Sequence, residues 1–181
     1  MDYDFQETFE KVILFFKNNT ISYALIGAWA SSFWGQPRGT EDIDFLILMS
    51  EDELRKLKEN TEKLLPFKMD EEWEKYNPMA RHCHCRLLSK NIHVDITLPK
   101  DIHDQDVLKR KILKKIGSLE LYIATPEDII LMKIKAGREK DLPDALAIFI
   151  KQQKNLDIDY LRSWAKKLGT YEELNWLFTK V

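Results

Sequence analysis

The sequence predicts an α+β fold, and three observations lead there. Short runs rich in Val, Ile, Leu and aromatic residues, at positions 23–26, 43–48, 80–88, 92–98 and 119–123, read as strands. Amphipathic helical spacings lie between and before them. From Thr125 onward the pattern turns helical, so the best boundary falls between 1–124 and 125–181. This order of elements is consistent with a sheet flanked by helices but selects no single such fold. At 181 residues, with 44% hydrophobic and 32% charged residues, the chain suits one domain or a compact two-lobed unit with a substantial core.

The elements follow in order. Phe5, Phe9, Val12, Ile13 and Phe16 recur at spacings of three and four, a helix that Asn18 and Asn19 end. A strand at 22–26 runs into Gly27 and a short helix. Gln36-Pro37-Arg38-Gly39 is turn chemistry, and the run 43–48 is a strand covered on both faces. Ser50 and Glu53 form a capping box for a helix carrying Leu54, Leu57 and Leu64, which Pro66 stops. Residues 67–78 read as a loop or a short strand. Strands 80–88 and 92–98 form a hairpin. Residues 99–105 read as loop and 107–115, with KRKILKK, as helical or extended. Thr125 before Pro126 opens a helix that Gly137 ends, and three further helices follow, at 142–151, 157–167 and 171–180.

Composition narrows the function classes. A net charge of −2 gives no global basic footprint for nucleic acid. The N-terminus lacks an apolar leader, and no run approaches the ~18 apolar residues of a membrane span. Cys83 and Cys85 are too close for an ordinary disulfide, so a reduced, soluble, cytoplasmic protein is the expectation.

The chemistry concentrates at 26–48, IGAWASSFWGQPRGTEDIDFLIL. Asp42 and Asp44 stand at i and i+2 of a strand and share a face, with Ile43 turned to the core. Paired carboxylates call for a cation or a shared proton, and oxygen donors suit a hard ion such as Mg2+. Gly27 closes a strand and opens a helix, whose bare N–H groups form an anion site. A phosphate cradle beside a metal-binding carboxylate pair points to nucleotide chemistry.

An apolar residue, Gly27 and a small residue, then Arg38-x-Thr40 and Asp42-x-Asp44, resemble the signature of the DNA polymerase β-like nucleotidyltransferase superfamily. The likeness is greatest to its small prokaryotic branch of antibiotic adenylyltransferases and toxin–antitoxin nucleotidyltransferases, over roughly residues 5–150. It implies a mixed, mostly antiparallel sheet of about five strands, flanked by helices, with a C-terminal helical part. It implies a third carboxylate on a neighbouring strand, which Asp95 supplies. Together Asp42, Asp44 and Asp95 would hold two Mg2+ ions, with Mn2+ as the alternative, while an NMP passes from an NTP to a hydroxyl acceptor. The acceptor is a small molecule, a tRNA end or a protein. Gly27, Ala28, Ser31, Ser32, Arg38, Thr40 and Lys133 are the nucleotide-binding candidates, and Asp141 belongs near the site's rim. The family has Gly-Gly or Gly-Ser where this chain has Gly27-Ala28; Ser31 or Ser32 could supply the missing hydroxyl. A module that binds nucleotide or protein without turnover is the alternative.

Several features read more plainly. Trp29, Phe33 and Trp34 are expected in the core. His82, Cys83, His84 and Cys85 alternate along a strand and cannot close one tetrahedral metal site, though two of them with His93 could begin one. The C-terminal helices could close the cleft within one chain or build a homodimer.

Overall fold

The computed structural model describes residues 3–64, 68–77, 84–89 and 92–180. Along the chain these form α1 (Tyr3–Asn18), β1 (Ser22–Ile26), α2 (Gly27–Trp34), β2 (Asp42–Leu48), α3 (Glu51–Leu64), β3 (Lys68–Met69), α4 (Glu71–Tyr76), β4 (His84–Ser89) and β5 (Ile92–Thr97). Then come α5 (Ile102–Arg110), β6 (Ile112–Ile116), β7 (Leu119–Ile123), α6 (Pro126–Ala136), α7 (Asp141–Gln152), α8 (Ile158–Leu168) and α9 (Tyr171–Phe178). The strands make one sheet in the order β3-β4-β5-β2-β1-β7-β6. It is mixed and mostly antiparallel, as expected, with seven strands among the described residues where about five were expected; of the pairings among those residues, β1–β7 and β2–β5 are parallel.

β2 lies at the centre of the sheet, and its alternation decides what each face does. Ile43, Phe45 and Ile47 are fully buried. Phe45 meets Phe16 edge-on at 5.1 Å and lies 6.0 Å from Phe9, so α1 covers this face. The opposite face carries Asp42 and Asp44, both partly open to solvent. The strand is therefore not a continuous apolar run covered on both sides; its first turn of side chains alternates charge with core.

Three elements differ from expectation. Residues 102–105, expected as loop, are the start of a helix that runs on through 107–110, because Asp101 caps it by accepting the Asp104 N–H at 2.9 Å. The helix buries His103, Asp104, Val107 and Leu108, a half-polar face that hides its period. The KRKILKK segment is split: its first residues close α5 and the rest is β6. Glu71–Tyr76 is a short helix capped by Asp70, with β3 before it, where a loop or short strand was expected. The expected Pro66 stop lies outside the described residues.

The C-terminal helices share the core of the strand-rich part. One apolar cluster runs from Phe5 to Leu177. Trp34 donates its indole N–H to the Ala124 carbonyl at 2.9 Å, and Lys151 and Gln152 of α7 donate to the carbonyls of Gly35 and Trp34. Trp34 is buried, and Trp29 stacks on Phe5 at 4.4 Å, so both serve packing as expected. Among the described residues, no helix is long and apolar enough to cross a membrane.

Candidate active site

Strand register assembles the acidic face. Ile26 at the end of β1 pairs with Asp44, and Asp44 pairs in parallel with Asp95 of β5. Asp42 pairs with His93 and Leu46 with Thr97 in the same ladder. Cross-strand partners project to the same face, so Asp42, Asp44, His93 and Asp95 share one surface.

Gly27 fits against this surface with no room to spare. Its φ is +66°, and a Cβ built there would lie 2.0 Å from Asp44 Oδ2. The bare backbone therefore packs on the carboxylate, and the Ala28 N–H at the start of α2 hydrogen-bonds to it. Asp44 still has its pKa raised to about 6. Burial is the main cause, followed by the neighbouring charges of Asp95 and Asp42; Lys133 and the Ala28 hydrogen bond pull the other way.

Each remaining carboxylate has a cationic or polar partner. Asp42 Oδ1 lies 3.0 Å from His93 Nδ1, and Thr40 Oγ1 accepts the Asp42 backbone N–H at 3.1 Å. Asp95 is 5% exposed. Arg86, its register partner on β4, donates to both its oxygens: Nε to Oδ1 at 2.7 Å and Nη2 to Oδ2 at 2.6 Å. The same Nη2 is 3.9 Å from Asp42 Oδ1. The Arg86 guanidinium lies 4.5 Å over the Trp73 ring. Burial is the largest influence and disfavours the Arg86 charge, but the Asp95 hydrogen bonds and the charges of Asp95, Asp42 and Asp70 together outweigh it and hold the guanidinium pKa above its usual value. Sequence reading passed over Arg86; its only signal is its place in a hairpin opposite Asp95.

A basic cluster stands across from Asp44. Lys133 of α6 is 5% exposed and donates to Asp141 at 3.0 Å and Asp144 at 2.8 Å. Arg138 donates to both oxygens of Asp141, and Arg38 Nε is 3.3 Å from Asp144. Burial raises the Asp141 pKa, but the bonds from Arg138 and Lys133 prevail and lower it. Lys133 and Arg138 both act on Asp44 through their charge.

The serines fit the missing hydroxyl poorly. Ser31 is buried and donates to the Gly27 carbonyl at 2.9 Å, a bond within α2. Ser32 accepts the Arg38 N–H at 3.2 Å and fixes the turn instead.

Of two cavities, one adjoins the acidic face and the other lies at Trp73, on which Arg86 packs. The first, of about 250 Å3, continues along that face past Ile26, Leu46 and Thr97, under Met132 and Lys135. The other, about 600 Å3, is bordered by Asp70, Glu72, Trp73, Tyr76 and Asn77 beside Arg86.

Hard oxygen donors on one face, with a bare glycine holding Asp44 in place, fit a divalent cation at the Asp42–Asp44 edge. Asp95 lies beside Asp44 but both its oxygens are taken by Arg86. Among the described residues, a tighter group is Asp101, His103 and Asp104, with ligand atoms within 4.8 Å of one another. Protein groups already fill it: Lys135 pairs with Asp101, Asp101 caps α5, and Asp104 accepts the Lys100 N–H at 2.8 Å. Of the His/Cys run, His82 and Cys83 lie outside the described residues. Cys85 is buried with its thiol pushed up to about 12, chiefly by burial. His84 pairs with Thr97, far along the ladder from His93, so the register opposes a shared metal site.

A family model described as a nucleotidyltransferase of unknown function (DUF6036) matches residues 4–176. No curated protein matches the sequence. Among solved structures, the chain is similar to the antibiotic-resistance factor ANT(2'')-Ia in solution, with a TM-score of 0.63 and 12% identity over 97% of this chain and 98% of that one. It is similar to the lincosamide antibiotic adenylyltransferase LnuA with lincomycin bound (TM-score 0.54, 14% identity, 78% and 94% covered). A third is an antigenic nucleotidyltransferase-like protein from Paracoccidioides brasiliensis (0.53, 15%, 96% and 93%). At these identities the likeness is one of fold.

Proposed function

Since the chain belongs to the DUF6036 family of nucleotidyltransferases, we propose that it moves a nucleoside monophosphate from an NTP to a hydroxyl acceptor at the Asp42–Asp44–Asp95 face. The acceptor oxygen bonds to the α-phosphorus, the bond from that phosphorus to the bridging oxygen breaks, and pyrophosphate leaves. The observation that carries this reading is the register that sets Asp44 between the Gly27 end of β1 and Asp95 of β5.

Asp42 and Asp44 would hold Mg2+, which when bound would supply the charge that activates the acceptor hydroxyl and neutralises the leaving pyrophosphate. The first turn of α2, which opens at Gly27, would offer backbone N–H groups other than that of Ala28, which serves Asp44, to the β- and γ-phosphates. Arg38 and Arg138 supply forked donors to the triphosphate, and Lys133 adds charge from behind. Thr40 holds the Asp42 backbone rather than the nucleotide, and Ser31 and Ser32 support the α2 turn. Asp95 accepts the acceptor's proton from the side of the Trp73 cavity. ATP is the first donor to try, because LnuA is named an adenylyltransferase. The acceptor is a small molecule, tRNA or protein hydroxyl, in a cytoplasmic setting.

The test is pyrophosphate release and calorimetric binding with each NTP, with and without Mg2+, on wild type and Asp42→Ala/Asp44→Ala. Mg2+-dependent binding lost in the double variant is the expected result. Full turnover by Asp44→Ala would sink the mechanism. The fork of Arg86 on Asp95 favours a second reading, a module that holds NTP·Mg2+ without turnover; tight binding with no pyrophosphate released would establish it.

A further inference from the structure

Arg86 lies where a cation shared by Asp42 and Asp95 would lie. Its Nη2 is 2.6 Å from Asp95 Oδ2 and 3.9 Å from Asp42 Oδ1, while Nε takes the other Asp95 oxygen. Asp95 is 5% exposed, so little of it remains for a second partner. A divalent ion and a forked guanidinium compete for the same oxygen lone pairs. Trp73 backs the guanidinium and keeps it over the site.

We infer that Arg86 is a resident counter-cation: in the nucleotide-free chain it fills the cation position between Asp95 and Asp42, leaving only the Asp42–Asp44 edge open to a divalent ion. The second ion position forms when Arg86 is drawn off Asp95. A polyphosphate is the ligand chemistry to draw it off, because a guanidinium forks onto phosphate oxygens as readily as onto a carboxylate. Arg86 is thus a positioning residue that makes Asp95 available only once nucleotide is present. The inference rests on the Asp42–Asp44 pair being the cation and nucleotide site.

The experiment counts Mn2+ ions bound to the full chain without nucleotide, by the electron paramagnetic resonance of the free ion. Wild type is expected to bind one, Asp42→Ala/Asp44→Ala none, Arg86→Gln two, and Arg86→Gln/Asp95→Asn one again. Two ions on the wild type overturn the inference. So does an Arg86→Gln count equal to the wild type's while the Asp42→Ala/Asp44→Ala count falls to none, an outcome that leaves the proposed function standing. A wild type that binds none overturns the inference, and the Mg2+-dependent NTP binding test then decides the proposed function by itself. Thermal unfolding of each variant checks its fold. If Arg86→Gln does not fold, Arg86→Lys keeps the charge without the fork. It is then expected to bind a second Mn2+ about tenfold more weakly than the first; no second ion overturns the inference.

Discussion

A Cβ at position 27 would lie 2.0 Å from Asp44 Oδ2, on a backbone whose φ is +66°. Gly27→Ala must therefore displace the carboxylate and hold alanine in a left-handed conformation, which alone costs about 1–2 kcal/mol. The expected outcome is a lower urea midpoint together with loss of Mg2+-dependent NTP binding. Retention of binding would mean that the close packing has no part in the site. Asp44 itself gives a pH prediction. Its pKa is raised to about 6 from 3.8, so the folded state holds a proton that the unfolded state has released. Stability of the metal-free chain then falls as pH rises from about 4 to 6, by up to about 3 kcal/mol, and less because Asp44 keeps some contact with solvent. Asp44→Asn is expected to be more stable than wild type at pH 8 and equal to it near pH 4, by urea unfolding. An asparagine variant less stable at pH 8 would refute the assignment. At this scale Gly27, Asp42 and Asp44 were legible from a local pattern of two or three residues, whereas Asp95 came only from the third carboxylate that the resemblance implies. Arg86 was not: its partner lies across a hairpin turn, and only register shows the pairing. Lys133 and Arg38 were legible as charges, but not as the ligands of Asp141 and Asp144.

At the scale of elements, α6 and α7 are joined through a buried ion cluster. Asp141 is fully buried and takes bonds from Lys133 and Arg138. Asp141→Ala leaves the buried Lys133 with Asp144 alone and is expected to cost about 3 kcal/mol in chemical denaturation. A loss below about 0.5 kcal/mol would show the cluster to be no firmer than a surface pair. Elements with end signals were read well. Thr125 caps α6, Pro126 stands in its first turn and Gly137 closes it at φ +62°. Ser50 and Glu53 bond reciprocally, as a capping box requires. Elements that bury polar groups were read poorly. In α5 the inward residues include His103 and Asp104 beside Val107 and Leu108, and Ile102 faces solvent, so the hydrophobic period is broken. In β6, two adjacent lysines interrupt the alternation of Ile112, Leu113 and Ile116 and mask a strand.

At the scale of the whole molecule, the apolar cluster that runs from Phe5 to Leu177 joins the strand-rich and helical parts. The boundary near 125 is then expected to mark a change of composition rather than of cooperative unit, with one unfolding transition seen alike by far- and near-ultraviolet circular dichroism. Two separated transitions would divide the chain at 1–124 and 125–181. The fold class was legible because helix and strand periods differ. The sheet's full width was not, since β3 is two residues long and two of the five residues of β6 are lysine. The parallel ladder of β2 and β5 has a further consequence, for descent rather than chemistry. One residue inserted within β5 ahead of Asp95 would turn that carboxylate to the face now held by Val94, and one inserted between Asp42 and Asp44 would part the pair. The turn from Gly35 to Glu41 carries no such constraint on strand register. Across homologous sequences, insertions and deletions are expected to collect in that turn and to stop at the two strands.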